Sequence, residues 1–374
     1  MKLSNFVKVA PSLYKTRKSV LLQGAPGCGK TDTIRALPAA LEDALNLPAG
    51  SFGLVEYLLT TRESVDMAGF MVPSKSDFGD GEVPVATYTM PDVVRRVLAT
   101  GKEYGVLFLD EFSQAEHDMQ KAAAQLIHDR EVNGFKLPDG WWVIMASNRT
   151  EHRAGVKPLL SFVANRMVIL DVHTTPDDWA AWAAYRGYHP LLVAFSKFQP
   201  QYVFSEQVPA TPEPFSTARS FAGVCEYFKL LESDISKPLP ADDITMEVVA
   251  GAIGDATATH LAAFLKTHNL LPTATDILET PDTAKVPGSD RLDAVYAAAQ
   301  LAVEVARQHK DKDMATRTQV IDAVMTYIGR LPPELRIATV RDIVSIPEMV
   351  AVCSSSEKTT QFLEQNRSLL DNTL

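Results

Sequence analysis

Ser19-Val20-Leu21-Leu22-Gln23-Gly24-Ala25-Pro26-Gly27-Cys28-Gly29-Lys30-Thr31 is the stretch on which the reading of the whole chain turns. Val20 to Leu22 is a short apolar run, the pattern of a buried strand. Gly24 to Thr31 fits Gly-x-x-x-x-Gly-Lys-Ser/Thr at every position. Apolar residues then recur at helical spacing through Ile34, Leu37 and Leu41. Strand, glycine loop and helix in that order are the setting of a phosphate-binding P-loop. Glycines let backbone N–H groups point at a phosphate with no Cβ in the way, and the helix N-terminus adds partial positive charge. Lys30 is expected to reach β- and γ-phosphates, and the Thr31 hydroxyl to ligate Mg²⁺. Gly24, Ala25, Pro26, Gly27, Cys28, Gly29, Lys30 and Thr31 are thus the expected nucleotide-binding residues. Cys28 sits at a variable position and reads as a small filler rather than a nucleophile.

A second chemical centre follows at Tyr104-Gly105-Val106-Leu107-Phe108-Leu109-Asp110-Glu111. This apolar run is too short for a helix and ends in two acids, as a buried parallel strand does. Ligands of open α/β sheets bind at the carboxyl ends of the strands. Asp110 and Glu111 should therefore arrive beside the P-loop, Asp110 to hold Mg²⁺ with Thr31 and Glu111 to orient or deprotonate an attacking water. Trp141 to Asn148 reads as another buried strand, with Asn148 at its end placed for a γ-phosphate or that water. Arg149 and Arg153 come next, and at least one should pair with an acid or a phosphate.

Around these centres the pattern predicts a helix over Leu3 to Tyr14, broken near Pro11, a strand over Phe52 to Leu59 and a helix over Pro91 to Ala99. Residues 60–90 look less regular, with Gly69, Pro73, Gly79, Gly81 and Pro84 interrupting; Phe70 and Met71 are either exposed apolar tips or core residues. Ser113 is expected to cap a long helix through Ile127. A hairpin is expected over Arg130 to Pro138 on Asn133-Gly134, a short helix over Leu159 to Ala164 and a fifth strand over Met167 to Val172. Helices then take over: Asp177 to Tyr185, Pro190 to Phe198, Thr217 to Leu231, Glu247 to His268, Asp290 to His309, Thr316 to Ile328 and Glu334 to Val344. Residues 208–216 and 280–289 read as linkers. An α/β domain thus precedes an all-helical part.

The 374 residues can hold two or three domains, and 46% apolar with 22% charged residues is the balance of a soluble globular protein. No apolar run is long enough to span a bilayer, and Met1 to Phe6 lacks the apolar core of a signal peptide. Cys28, Cys225 and Cys353 are too widely spaced for a disulfide framework, which points to the reducing cytoplasm. The eight histidines form no pair at metal-ligand spacing, so no zinc site is expected. A net charge of −10 argues against nucleic acid as a partner. The small basic clusters, Arg95 and Arg96 among them, read as solvated surface.

With these residues in view, the chain resembles an AAA+ ATPase, and within that class the MoxR-like (dynein-related) branch. The resemblance rests on five elements in family order: the P-loop at 24–31, Leu-Asp-Glu at 109–111, Ala-Ser-Asn-Arg at 146–149, Ala-Asn-Arg-Met at 164–167 and Phe-Ser-Thr-Ala-Arg-Ser at 215–220. Leu137 to Trp141 is also similar to this branch. The likeness covers roughly residues 15–270. Ala218 stands where the family often has proline, and Met167 where it often has phenylalanine; neither removes a charged group.

The resemblance implies ATP and Mg²⁺ as ligands and a P-loop AAA+ parallel-sheet sandwich over 1–172. It further implies an all-helical lid over 173–285 and a helical C-terminal extension over 286–374. It places Asn148 at sensor 1, Arg166 at the arginine finger offered to a neighbouring subunit, and Arg219 at sensor 2. Glu111, Arg166, Asn148 and Arg219 are then the catalytic set. The 60–88 segment resembles the branch's pore-facing insertion. Expected partners are further copies of the chain in a hexameric ring, a von Willebrand A-domain protein and a protein target. A nucleic-acid-handling AAA+ loader or restriction-type motor, and a scaffold that binds ATP with little turnover, are the rival readings.

Overall fold

The computed structural model describes residues 1–77, 82–148, 159–205, 208–209, 212–235 and 237–365. It divides into two compact units, the first built on Met1–Thr174 and the second on the helices from Pro176 onward.

In the first unit the described strands, in chain order, are β1 (Val20–Gln23), β2 (Phe52–Leu58), β3 (Met71–Asp77), β4 (Glu82–Tyr88), β5 (Tyr104–Asp110), β6 (Glu131–Val132), β7 (Phe135–Lys136), β8 (Gly140–Ser147) and β9 (Val168–Asp171). Five of them form one sheet in the order β2-β5-β8-β1-β9, every pair parallel. Such strands are buried on both faces and carry continuous apolar runs. Val106 and Phe108 of β5, with Trp142, Ile144 and Ala146 of β8, pack beneath helices Leu3–Lys15 and Lys30–Leu45. Leu107 and Leu109, with Trp141, Val143 and Met145, pack on the other face against helices Asp92–Ala99 and His117–Asp129. Adjacent tryptophans thus anchor opposite faces, each indole N–H satisfied: Trp141 donates to the Lys102 carbonyl at 3.0 Å and Trp142 to that of Lys18 at 2.8 Å. Gly105 makes room for Trp141, whose ring would lie 2.7 Å from a Cβ there. This is a five-stranded parallel α/β sheet, followed along the chain by a helical C-terminal portion.

Several local expectations are corrected. Helix Leu3–Lys15 runs through Pro11 without breaking; proline removes one hydrogen bond, while buried Leu3, Phe6 and Ala10 hold the helix on the sheet. Ser113 caps nothing. The chain turns after Asp110 and the helix begins only at His117, which leaves Ser113 buried in the turn. The 60–90 region is more regular than its glycines and prolines imply. After helix Ser64–Ala68, β3 and β4 form an antiparallel ribbon, with residues 78–81 outside the described set. Pro73 faces Ala86 and Pro84 faces Lys75 in this register. These are pairs of one type, and the missing N–H groups fall on the ribbon's two outer edges. Phe70 and Met71 at its root are exposed, at 60% and 61%. The Asn133-Gly134 hairpin forms as expected, both residues with positive φ, between β6 and β7.

The second unit is helical, apart from its loops, among the described residues. Helices Pro176–Tyr185, Pro190–Phe198, Ala218–Leu231, Asp243–Ile253 and Asp255–Leu265 share one apolar core. Helices Met314–Ile328, Pro333–Val344 and Pro347–Ser355 share a second. Helix Leu292–Gln308 contributes to both, through Ala297 to the first and Ala298 and Leu301 to the second. The single helix expected over 247–268 is two, because Gly254 has φ +82° and lies against the Pro214 carbonyl, 2.7 Å from where a Cβ would sit. Lys197, 9% exposed, donates to Asp342, which also accepts from Gln300 at 3.0 Å. Part of the expected 208–216 linker lies outside the described residues. Among the described residues no helix is long and apolar enough to cross a membrane, and the three cysteines are buried free thiols.

His189 caps helix Pro190–Phe198 with a neutral ring, Nδ1 accepting from the Leu191 N–H at 3.2 Å. Burial pushes its imidazole down from 6.5 to about 4. The unfolded chain therefore takes up this proton first, and the associated stability is full above 6.5 and is lost as pH falls through about 4. The loss amounts to about 3 kcal/mol. Urea melts across this range should slope steeply for the natural chain and clearly less for His189→Asn, which keeps a cap without the titration.

Candidate functional site

β1 ends at the middle of the sheet, between β8 and β9. Its exit is pinned on both sides: Gly24 N–H donates to the Ser147 carbonyl at 3.2 Å, and Val172 N–H donates to the Gln23 carbonyl at 2.7 Å. Gly24 is required by this approach, since a Cβ there would lie 2.5 Å from the Val172 carbonyl oxygen. Gly27 and Gly29 both take positive φ, +68° and +95°. Gly29 is the N-cap of helix Lys30–Leu45 and offers no capping side chain, so the first-turn N–H groups face the loop. The Thr174 hydroxyl donates to the Cys28 carbonyl and ties the loop to the segment after β9.

Lys30 is buried at 8% exposure. Its ammonium donates to the carbonyls of Gly24 and Ala25, at 3.0 and 2.9 Å, and to Asn148 Oδ1 at 3.2 Å. Cys28 Sγ is 3.9 Å away. The Thr31 hydroxyl donates to Asp110 Oδ2 at 3.1 Å, and the Glu111 N–H to Asp110 Oδ1 at 2.9 Å. Burial raises the Asp110 carboxyl above its usual range, although both hydrogen bonds oppose the shift. P-loop, Asp110, Glu111 and Asn148 are thus gathered at one corner by the carboxyl ends of β1, β5 and β8.

Glu111 has φ +57°, a left-handed conformation that is strained for glutamate. The turn it opens is closed by Gln114 and Ala115 N–H groups on its own carbonyl and by Phe112 N–H on the Ala146 carbonyl. Its carboxylate accepts a hydrogen bond from the Thr60 hydroxyl, in the short 3₁₀ turn Leu59–Thr61 after β2. Thr60 belongs to this group, and sequence reasoning missed it. Its only signal is topological: β2 neighbours β5, with Leu58 opposite Asp110, so whatever follows β2 meets whatever follows β5.

Arg166 is not brought to this corner. It follows helix Ser161–Ala164 and precedes β9, whose first residue Val168 pairs with Val20. It therefore lies at the amino end of the strands, opposite the P-loop; its N–H donates to the Val163 carbonyl at 3.0 Å, and its side chain is exposed, with no hydrogen bond or ion pair among the described residues. Arg219 belongs to the second unit, exposed in the first turn of helix Ala218–Leu231, behind a capping box of Thr217 and Ser220. Arg149 and Arg153 lie outside the described residues.

A loop of inward N–H groups, a buried lysine and a glycine cradle that a Cβ would fill suit a polyphosphate. Thr31 and Asp110 supply the oxygen donors Mg²⁺ prefers. Among the described residues no cluster of three or more His, Cys, Asp or Glu could cage a metal; Mg²⁺ is usually shared between one or two protein oxygens and substrate phosphates.

Residues 19–178 match the family model described as AAA domain (dynein-related subfamily). No curated protein matches the chain by sequence. It is similar to the solved structure of a mutant RuvB from Thermotoga maritima, at 16% identity over 75% of each chain and a TM-score of 0.37. It is also similar to a chain of the HORMA:CdnC:Trip13 complex of E. coli MS115-1, at 15% identity over 70% of this chain and 85% of that one, with a TM-score of 0.35.

Because the Gly24 Cβ position is filled by a backbone oxygen, Gly24→Ala must displace the loop from β9. A fluorescent ATP analogue should bind that variant on the order of tenfold or more weakly, with the far-ultraviolet circular dichroism spectrum unchanged.

Proposed function

We propose that this chain is an ATP-hydrolysing, ring-forming AAA+ remodelling ATPase of the MoxR-like type, the simplest account of why Lys30, Thr31, Asp110, Glu111 and Asn148 converge while Arg166 lies at the opposite end of the strands. That separation is the observation carrying the reading. β1 is four residues long, at roughly 3.3 Å per residue, so Arg166 at the far end of the strands serves no phosphate on its own P-loop. A second copy could present it to a neighbour's site.

In this reading Lys30 and the loop N–H groups bind the β- and γ-phosphates, and Thr31 and Asp110 hold Mg²⁺. ATP bound there supplies the transferable phosphoryl group, and Mg²⁺ neutralises part of its charge. The Glu111 carboxylate accepts a proton from the attacking water. Asn148, now bonded to Lys30, orients that water or the γ-phosphate. Arg166 of a neighbouring copy stabilises charge that develops in transfer, a role worth ~10³–10⁵ in rate in related enzymes. Arg219 reads the nucleotide from the lid. Hexameric assembly, a von Willebrand A-domain partner and a protein target complete the proposal, and the acidic net charge of −10 favours a protein over nucleic acid.

Complementation by mixing tests the reading. Lys30→Ala should lose nucleotide binding, and Glu111→Gln should bind ATP yet turn over on the order of 10²-fold more slowly or worse. Arg166→Ala should be nearly inactive alone and regain phosphate release when mixed with Lys30→Ala, because one variant brings the arginine and the other a sound pocket. Mixtures no more active than their components would remove Arg166 from its assigned role.

A further inference from the structure

The turn that carries Glu111 rests on a buried layer of polar side chains that the function above does not use. Gln120, on helix His117–Asp129, is fully buried. Its amide nitrogen donates to the Ala115 carbonyl at 3.3 Å, while its Oε1 has no hydrogen-bond partner among the described residues. Ser113, inside the turn, and Ser147, at the end of β8, are each 1% exposed, and neither hydroxyl has a partner among the described residues. The hydrogen bonds place these groups around one turn. Gln120 holds its last residue, Ser113 lies within it, and Phe112 N–H binds the carbonyl of Ala146, next to Ser147.

Stability does not account for Gln120. Its neighbours in sequence along the buried face, Met119, Ala123 and Ala124, belong to an apolar core. One neutral hydrogen bond stabilises by less than an unpaired buried acceptor costs, so an apolar side chain of similar size would suit the fold as well or better. The amide bond to Ala115 does have a local use. Glu111 sits in a left-handed conformation that persists only where its surroundings over-determine it. Gln120 fixes the carbonyl of the residue whose own N–H closes the turn onto Glu111. We propose that Gln120 is a positioning residue for Glu111, clamping the turn Glu111–Ala115 to the helix behind it.

The inference rests on the reading of Glu111 as the residue that activates water, and the test keeps the two apart. Gln120→Leu and Gln120→Met are compared with the natural chain in thermal unfolding, ATP-analogue binding, steady-state turnover and amide hydrogen exchange. The expected result is a melting temperature equal to or above that of the natural chain and unchanged nucleotide affinity. Turnover should fall roughly ten- to hundredfold in kcat with little change in KM. Exchange should accelerate at the Phe112 to Ala115 amides, and Gln120→Glu, which keeps the length but lacks the N–H that binds the Ala115 carbonyl, should show the same faster exchange and lower kcat. A fall in melting temperature that tracks the fall in kcat would make Gln120 a structural residue only and overturn the proposal. So would unchanged exchange in the turn. If the natural chain itself shows no turnover, the ATPase reading fails, and the exchange data still decide whether Gln120 clamps the turn.

Discussion

β1 is paired on both sides, and those two pairings set where chemistry can occur in this protein. In a parallel sheet every strand delivers its last residue to the same edge. Gly24 N–H on the Ser147 carbonyl and Val172 N–H on the Gln23 carbonyl lock the exit of β1 between its neighbours. From that point the sheet order does the rest. β8 brings Asn148 to Lys30, β5 brings Asp110 to Thr31, and β2 brings Thr60 to Glu111. Residues spread over more than a hundred positions of sequence meet because register, rather than local folding, aligns them.

Such alignment demands a sheet that does not yield. Both faces are buried under helices, and Trp141 and Trp142 extend the anchoring to opposite layers from adjacent positions. Interiors packed to crystal-like density transmit strain instead of absorbing it. That stiffness is what allows glutamate to sit at φ +57° directly after β5. The turn is held by its own carbonyl, by the Ala146 carbonyl and by the amide of Gln120.

Much of this was legible in the sequence, and the limits have physical causes. The P-loop and the strands ending at Asp110 and Asn148 show themselves because local composition and local structure coincide there. The ribbon of β3 and β4 was hidden, since Pro73 and Pro84 argue against strands unless their edges are free, which only the pairing reveals. Ser113 looked like a cap because serine before an apolar run usually is one; the left-handed Glu111 diverted the chain and buried it. Gly254 broke a helix whose periodicity continued across it. Thr60 had no signal in its own surroundings, because its partner lies 51 residues away. Arg166 and Arg219 were singled out by family order, and that both are exposed is something no periodicity could have told.

The edge prolines of the ribbon have a consequence of their own. An exposed two-stranded ribbon with apolar side chains is an invitation to strand addition, the first step of cross-β growth. Pro73 and Pro84 interrupt the row of donors on each outer edge, so a third strand docking on either side finds a gap in its ladder. The ribbon can hold Phe70 and Met71 out in solvent at its root without becoming a template for fibrils, even when many copies are crowded together.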